Sequence, residues 1–226
     1  MDITLHAVDV GAGKPLVLLH GNGESSEYFT HQLASFPASR RVIAVDTRGH
    51  GKSPRGSAPF TLAQFAEDLR ELLDQKGIEK TDLLGFSDGG NIAMLFALKY
   101  PERVDRLILN GANLYPRGVK LAVQLPVVLG YGIVSLIAKF DKKAIAKKEI
   151  LGLMVREPHI DPKSLAALPH KTLVIVGDRD MIRHRHSKLI ADSIPNAKFV
   201  TLSGSHFIAA EESTAFNRAV EAFLAE

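Results

Sequence analysis

Cysteine is absent from the chain, which excludes disulfides, thiolate metal sites and a cysteine nucleophile. A strong excess of one charge is also missing, the net charge being +3 over 226 residues. The one dense basic stretch, Lys139, Lys142, Lys143, Lys147 and Lys148, is broken by Asp141 and apolar residues. It reads as a solvated helix face, and no nucleic-acid partner is expected. Residues 1–6 carry neither a basic n-region nor an apolar h-region, so no secretory leader is expected and a cytoplasmic location is. Long apolar runs are scarce as well. Residues 121–138 hold 18 positions without a charge, the lower limit for a spanning helix. Gln124, Pro126, Gly130, Gly132 and Ser135 dilute that stretch and weaken a continuous helix, so no membrane insertion is expected. No convincing set of metal ligands is found, and neither metal nor cofactor is expected.

What is present is a regular alternation. Strand-like runs fall at 3–8, 16–19, 42–45, 82–86, 107–110, 173–176 and 199–202, and most are continuously apolar, as strands covered on both faces are. Amphipathic helix patterns lie between them, clearest at 61–76 and 91–100. Thr61 with Gln64 three residues on reads as a capping box, and Lys76-Gly77 as a helix end. The order predicts an α/β fold with a doubly wound, mainly parallel sheet. It breaks once. Residues 1–112 and 169–226 are expected to form the core, with 113–168 a small helical cap inserted in it, whose uncharged part 121–138 lies as a lid over an apolar pocket.

The chemistry is carried first by residues 82–91, Asp-Leu-Leu-Gly-Phe-Ser-Asp-Gly-Gly-Asn. An apolar strand runs into Gly-x-Ser-x-Gly and then into a helix pattern. Glycines two before and two after Ser87 permit a sharp turn that lifts its hydroxyl above the sheet, beside the N–H groups opening the helix. Three further motifs follow the same order: His20-Gly21-Asn22-Gly23, Asp46-Thr47-Arg48-Gly49-His50-Gly51-Lys52-Ser53, and the pair Gly177-Asp178-Arg179-Asp180 and Gly204-Ser205-His206. Together they make the chain resemble an α/β-hydrolase fold serine hydrolase over nearly its whole length. The stretch around Ser87 with Asn110-Gly111-Ala112-Asn113 is most similar to the biphenyl-hydrolase-like and valacyclovir-hydrolase-like branch.

The resemblance implies a Ser-His-Asp triad. Serine needs a positioned base, and of nine histidines only His206 follows the last strand, as the order serine, acid, histidine of this fold requires. The family pattern places the acid three residues after the glycine, which selects Asp180 over Asp178. The backbone N–H groups of Asp88 and Asn22 are the expected oxyanion donors. A serine rather than an aspartate at the nucleophile position points to acyl transfer, with a small-molecule carboxylic ester as the leading substrate. Carbon–carbon bond hydrolysis of diketone-like substrates, peracid formation, and amide or thioester hydrolysis use the same triad. A small-ligand sensor on a hydrolase scaffold is the reading from a different class. The Asp88 side chain is either a first-turn carboxylate favoured by the helix dipole or a substrate-binding group for an ammonium, and the valacyclovir-hydrolase-like resemblance points to esters of α-amino acids. The oligomeric state is left open.

Overall fold

The apolar runs pair into one sheet in the computed structural model, which describes residues 2–226. Its strands are β1 (Ala7–Val10), β2 (Pro15–Leu19), β3 (Arg41–Val45), β4 (Thr81–Phe86), β5 (Val104–Asn110), β6 (Lys171–Gly177) and β7 (Ala197–Leu202). They lie in the order β1-β3-β2-β4-β5-β6-β7. β1 is antiparallel to β3 and every other pair is parallel, so the sheet is mainly parallel, as the alternation predicts.

The core helices are α1 (Thr30–Ser35), α2 (Leu62–Gln75), α3 (Asp88–Lys99), α6 (His184–Ser193), α7 (Ile208–Glu211) and α8 (Ser213–Leu224). Successive strand residues face opposite sides, and β2 shows the result. Val17 and Leu19 join a core with residues of α2, α3 and α6. Leu16 and Leu18 join a second core with Phe216, Val220 and Phe223 of α8. Continuous hydrophobicity thus serves two helical layers. At α2, Thr61 accepts a bond from the Gln64 N–H at 3.1 Å and caps the helix.

The first strand differs from expectation. It begins at Ala7, not Ile3, and the residue just before it is bonded to the loop after β3. The His6 N–H donates to Ser53 Oγ at 2.8 Å, and the His6 carbonyl accepts from the Asp46 N–H at 2.9 Å. Asp2 is held by Arg48, which is fully buried and also forks onto Asp68 with two bonds of 2.7 Å. Ile3 and Leu5 are buried without sheet pairing.

Between β5 and β6 lie α4 (Leu121–Ile137) and α5 (Ala144–Arg156), packed on each other. α5 is tied to the core. Asn22 Nδ2 donates to the Ile150 carbonyl at 2.8 Å, Arg55 pairs with Glu149 at 2.6 Å, and Glu157, just beyond α5, accepts from the Leu62 N–H at 2.7 Å. α4 runs unbroken through Pro126, contrary to expectation, and contains no buried residue. No α4 residue lines the cleft around Ser87; Leu121, Gln124 and Val128 instead line a separate hollow with Arg183, His186 and Leu189.

Candidate active site

Parallel strands leave their carboxyl ends on one edge of the sheet, where the loops can converge. The turn after β4 is the sharpest of these. Ser87 has φ 54° and ψ −119°, and no other described non-glycine residue has a positive φ. Such a conformation costs about 1–3 kcal/mol and persists only where its surroundings impose it. Here the Ser87 N–H donates to the Asn110 carbonyl at 2.8 Å, and its carbonyl accepts from the N–H groups of Gly90 and Asn91 at 2.9 and 3.1 Å. The flanking glycines are sterically required. A Cβ on Gly85 would collide with the Gly89 carbonyl oxygen, and one on Gly89 would collide with that of Leu19.

The loops after β6 and β7 bring two side chains to this serine. His206 Nε2 lies 3.0 Å from Ser87 Oγ, and His206 Nδ1 lies 2.7 Å from Asp180 Oδ1. Asp180 Oδ1 also accepts from the Ile182 N–H at 2.8 Å. With Nδ1 protonated toward Asp180, Nε2 presents a lone pair to the serine hydroxyl. Both His206 and Asp180 are buried. Asp178 is exposed and faces away, accepting from the Gly204 N–H at 2.9 Å and pairing with Arg179. The buried histidines elsewhere hold backbone. His20 accepts from the Thr47 N–H at 3.0 Å, His186 from the Leu114 N–H at 2.9 Å, and His170 meets the Pro101 carbonyl at 2.8 Å. Burial pushes His20 and His186 down to about 4, so both stay neutral and structural.

Asn22 and Asp88 line the same small cleft as Ser87 and His206, a cavity of about 70 Å³. Asp88 is the first residue of α3, where a backbone N–H has no intrahelical acceptor. Apolar walls come from Phe86, Val119, Met154, Met181, Ile182 and Phe207. The ionisable lining is acidic apart from His206: Glu24, Asp88 and Glu157, with no lysine or arginine. Asp88 Oδ1 accepts from Asn91 Nδ2 at 3.0 Å, while its buried Oδ2 has no partner. Burial raises the Asp88 carboxyl to about 7; the Asn91 bond opposes this and nearby Glu157 adds to it. Burial also raises Glu24 and Glu157 above the ordinary carboxylate range.

Sequence reasoning missed Glu24, Glu157 and the Asn91–Asn113 pair that backs Asp88, in which Asn91 Nδ2 meets Asn113 Oδ1 at 3.1 Å. The spacing of Asp88 and Asn91, three apart on one helix, was a usable signal. Nothing local marks Glu157. Among the described residues no group of three or more His, Asp or Glu side chains is placed to share a metal ion.

A family profile described as alpha/beta hydrolase fold matches residues 14–128. The chain is 30% identical to a 2-hydroxymuconate semialdehyde hydrolase of Pseudomonas putida, across 96% of this chain and 89% of that protein. Among solved structures it resembles a meta-cleavage product hydrolase from Pseudomonas fluorescens IP01, with TM-score 0.81 and 25% identity over 98% of this chain and 94% of that one. It also resembles a thermophilic esterase from Thermogutta terrifontis, with TM-score 0.80 and 25% identity over 98% and 93% of the two chains.

Proposed function

Since this chain belongs to the alpha/beta hydrolase fold family, we propose that it is a serine hydrolase cleaving small carboxylic esters through an acyl-enzyme on Ser87. The observation that carries the reading is the continuous relay Ser87 Oγ, His206, Asp180, with gaps of 3.0 and 2.7 Å, set on a strained turn. Ser87 Oγ attacks the ester carbonyl as His206 Nε2 takes its proton. The N–H groups of Asn22 and Asp88 receive the oxyanion, a contribution of about 2.7–4 kcal/mol per donor in comparable sites. His206 then protonates the leaving alkoxide, and a water activated by the same imidazole hydrolyses the acyl-serine. Asp180 holds the imidazole tautomer and steadies the imidazolium.

Neutral or cationic substrates are favoured by the cleft's charge. An anionic acid would lie beside Glu24, Asp88 and Glu157 with no lysine or arginine to receive it. The cationic branch of this reading is an α-amino-acid ester whose ammonium meets Asp88, in keeping with the valacyclovir-hydrolase-like elbow sequence. A second reading, carbon–carbon bond hydrolysis, is supported by the relative named 2-hydroxymuconate semialdehyde hydrolase, matched over 89% of its length.

A substrate panel separates these. Wild type and Ser87→Ala are assayed on a neutral short-chain ester, the matching α-amino-acid ester and 2-hydroxy-6-oxo-2,4-heptadienoate. Ester turnover that vanishes in Ser87→Ala is expected. Faster cleavage of the hydroxy-oxo-dienoate would replace the ester reading with the carbon–carbon one, and binding without turnover of any substrate would leave a ligand sensor.

A further inference from the structure

The outer helix of the cap is built the wrong way round for a surface in water. A surface helix ordinarily buries its apolar stripe and turns polar residues outward. α4 does the reverse. Its outward side presents Leu121, Leu125, Leu129, Ile133 and Leu136, each between 51% and 65% exposed, and Phe140 just beyond it at 87%. The polar residues face inward. Gln124 Nε2 donates to the Met154 carbonyl at 3.0 Å, the Tyr131 ring carries the Arg156 guanidinium at 5.1 Å, and Ser135 Oγ is buried. A contiguous apolar face of several hundred Å² marks a surface that meets something other than water.

Charge identifies what it meets. Lys120 stands exposed at the start of the face, and Lys139, Lys142, Lys143 and Lys147 stand exposed at its end, with Asp141 among them. Pairing α4 with α4 of a second copy, in either direction, would bring these lysines against one another. An anionic lipid surface accommodates both features, because its acyl boundary takes the leucines while its phosphates take lysines that extend to the headgroups. The helix would lie along such a surface. At 17 residues it is about 25 Å long, less than the roughly 30 Å of a bilayer core, and no helix among the described residues is long and apolar enough to cross a membrane.

We propose that α4, with the lysines flanking it, docks this protein onto anionic phospholipid surfaces, with the helix axis in the plane of the interface. The proposal is independent of the substrate, since no α4 residue lines the catalytic cleft.

The test is flotation of the full chain with vesicles of equal parts phosphatidylglycerol and phosphatidylcholine, beside vesicles of phosphatidylcholine alone. Binding to the anionic vesicles is expected, with weakening in high salt and little binding to the neutral ones. Lys142→Glu with Lys143→Glu should lower the partition coefficient at least about tenfold, given roughly fivefold per lysine near such a surface. Leu129→Glu with Ile133→Glu should abolish binding while turnover of a soluble ester stays at the wild-type level. If that pair fails to fold, Leu129→Gln alone should still lower binding. Three results would overturn the proposal: no flotation of the wild type with anionic vesicles, equal flotation with neutral ones, or a dimer in sedimentation that Leu129→Glu with Ile133→Glu converts to monomers.

Discussion

Replacing Asp88 by asparagine should stabilise the fold above neutral pH and leave it nearly unchanged in acid. The carboxyl is buried beside Ser87, with one bond from Asn91 and an unpartnered Oδ2. Its value in the folded protein is about 7, against an ordinary 3.8. Between those values the unfolded chain has released the proton and the folded one retains it. The folded state therefore binds more protons, and stability falls as pH rises through that window. At 1.36 kcal/mol per pKa unit, carrying the ionised form from 3.8 to about 7 costs on the order of 4 kcal/mol once both states are ionised. The substituted amide would keep a carbonyl as acceptor for Asn91 and carries no charge at any pH. Urea unfolding of wild type and Asp88→Asn across a pH series gives the comparison. The variant's advantage should be near zero around pH 4, grow through pH 5 to 7, and level off at about 2–4 kcal/mol above pH 8. Two curves separated by a constant offset would refute the reasoning, because Glu24 and Glu157 titrate in both proteins and only Asp88 differs.

Ser87→Ala and His206→Ala should each cut kcat by roughly 10⁴–10⁶, and the double variant little further, since the relay acts as a unit. Asp180→Asn should be severe and Asp178→Asn mild in steady-state kinetics, as only the former touches His206. In a series of p-nitrophenyl esters, kcat/KM should rise over the first few acyl carbons and then fall, because a cavity of about 70 Å³ fills quickly at about 0.8 kcal/mol per methylene. Gly89→Ala should lower stability by at least about 2 kcal/mol in thermal unfolding, its Cβ meeting the Leu19 carbonyl.

The sheet was legible because most of its strands are continuously apolar, and a run that serves two cores has no polar face to disguise it. The first strand was misplaced because Ile3-Thr4-Leu5-His6 alternates apolar and polar residues as a half-buried strand does. Yet the backbone of His6 is bonded to Ser53 and Asp46 in the loop after β3, which no local pattern announces. Ser87, Asp180 and His206 were nameable because each sits in a short glycine-bearing turn at a strand end, and the structure places all three within hydrogen-bond reach. Glu157 was not nameable, since its entry to the cleft depends on how α5 is anchored through Leu62, Ile150 and Arg55. For α4, hydropathy showed an uncharged stretch, but the side that packs is decided by α5 and was invisible.

The serine follows β4, whereas the acid and the histidine follow the last two strands, β6 and β7, so the serine and the histidine it meets stand 119 residues apart in the chain. Parallel strands pair only through crossovers, and topologies dominated by such distant contacts are slow to assemble. Hydrolysis is therefore a reporter of completed folding. If His206 acts as proposed, a refolding chain should regain helical circular dichroism as its helices form, but cleave nothing until β7 has docked beside β6 and delivered the histidine. Under the proposed mechanism, a truncated chain ending before that strand would keep Ser87 and have no His206 to activate it.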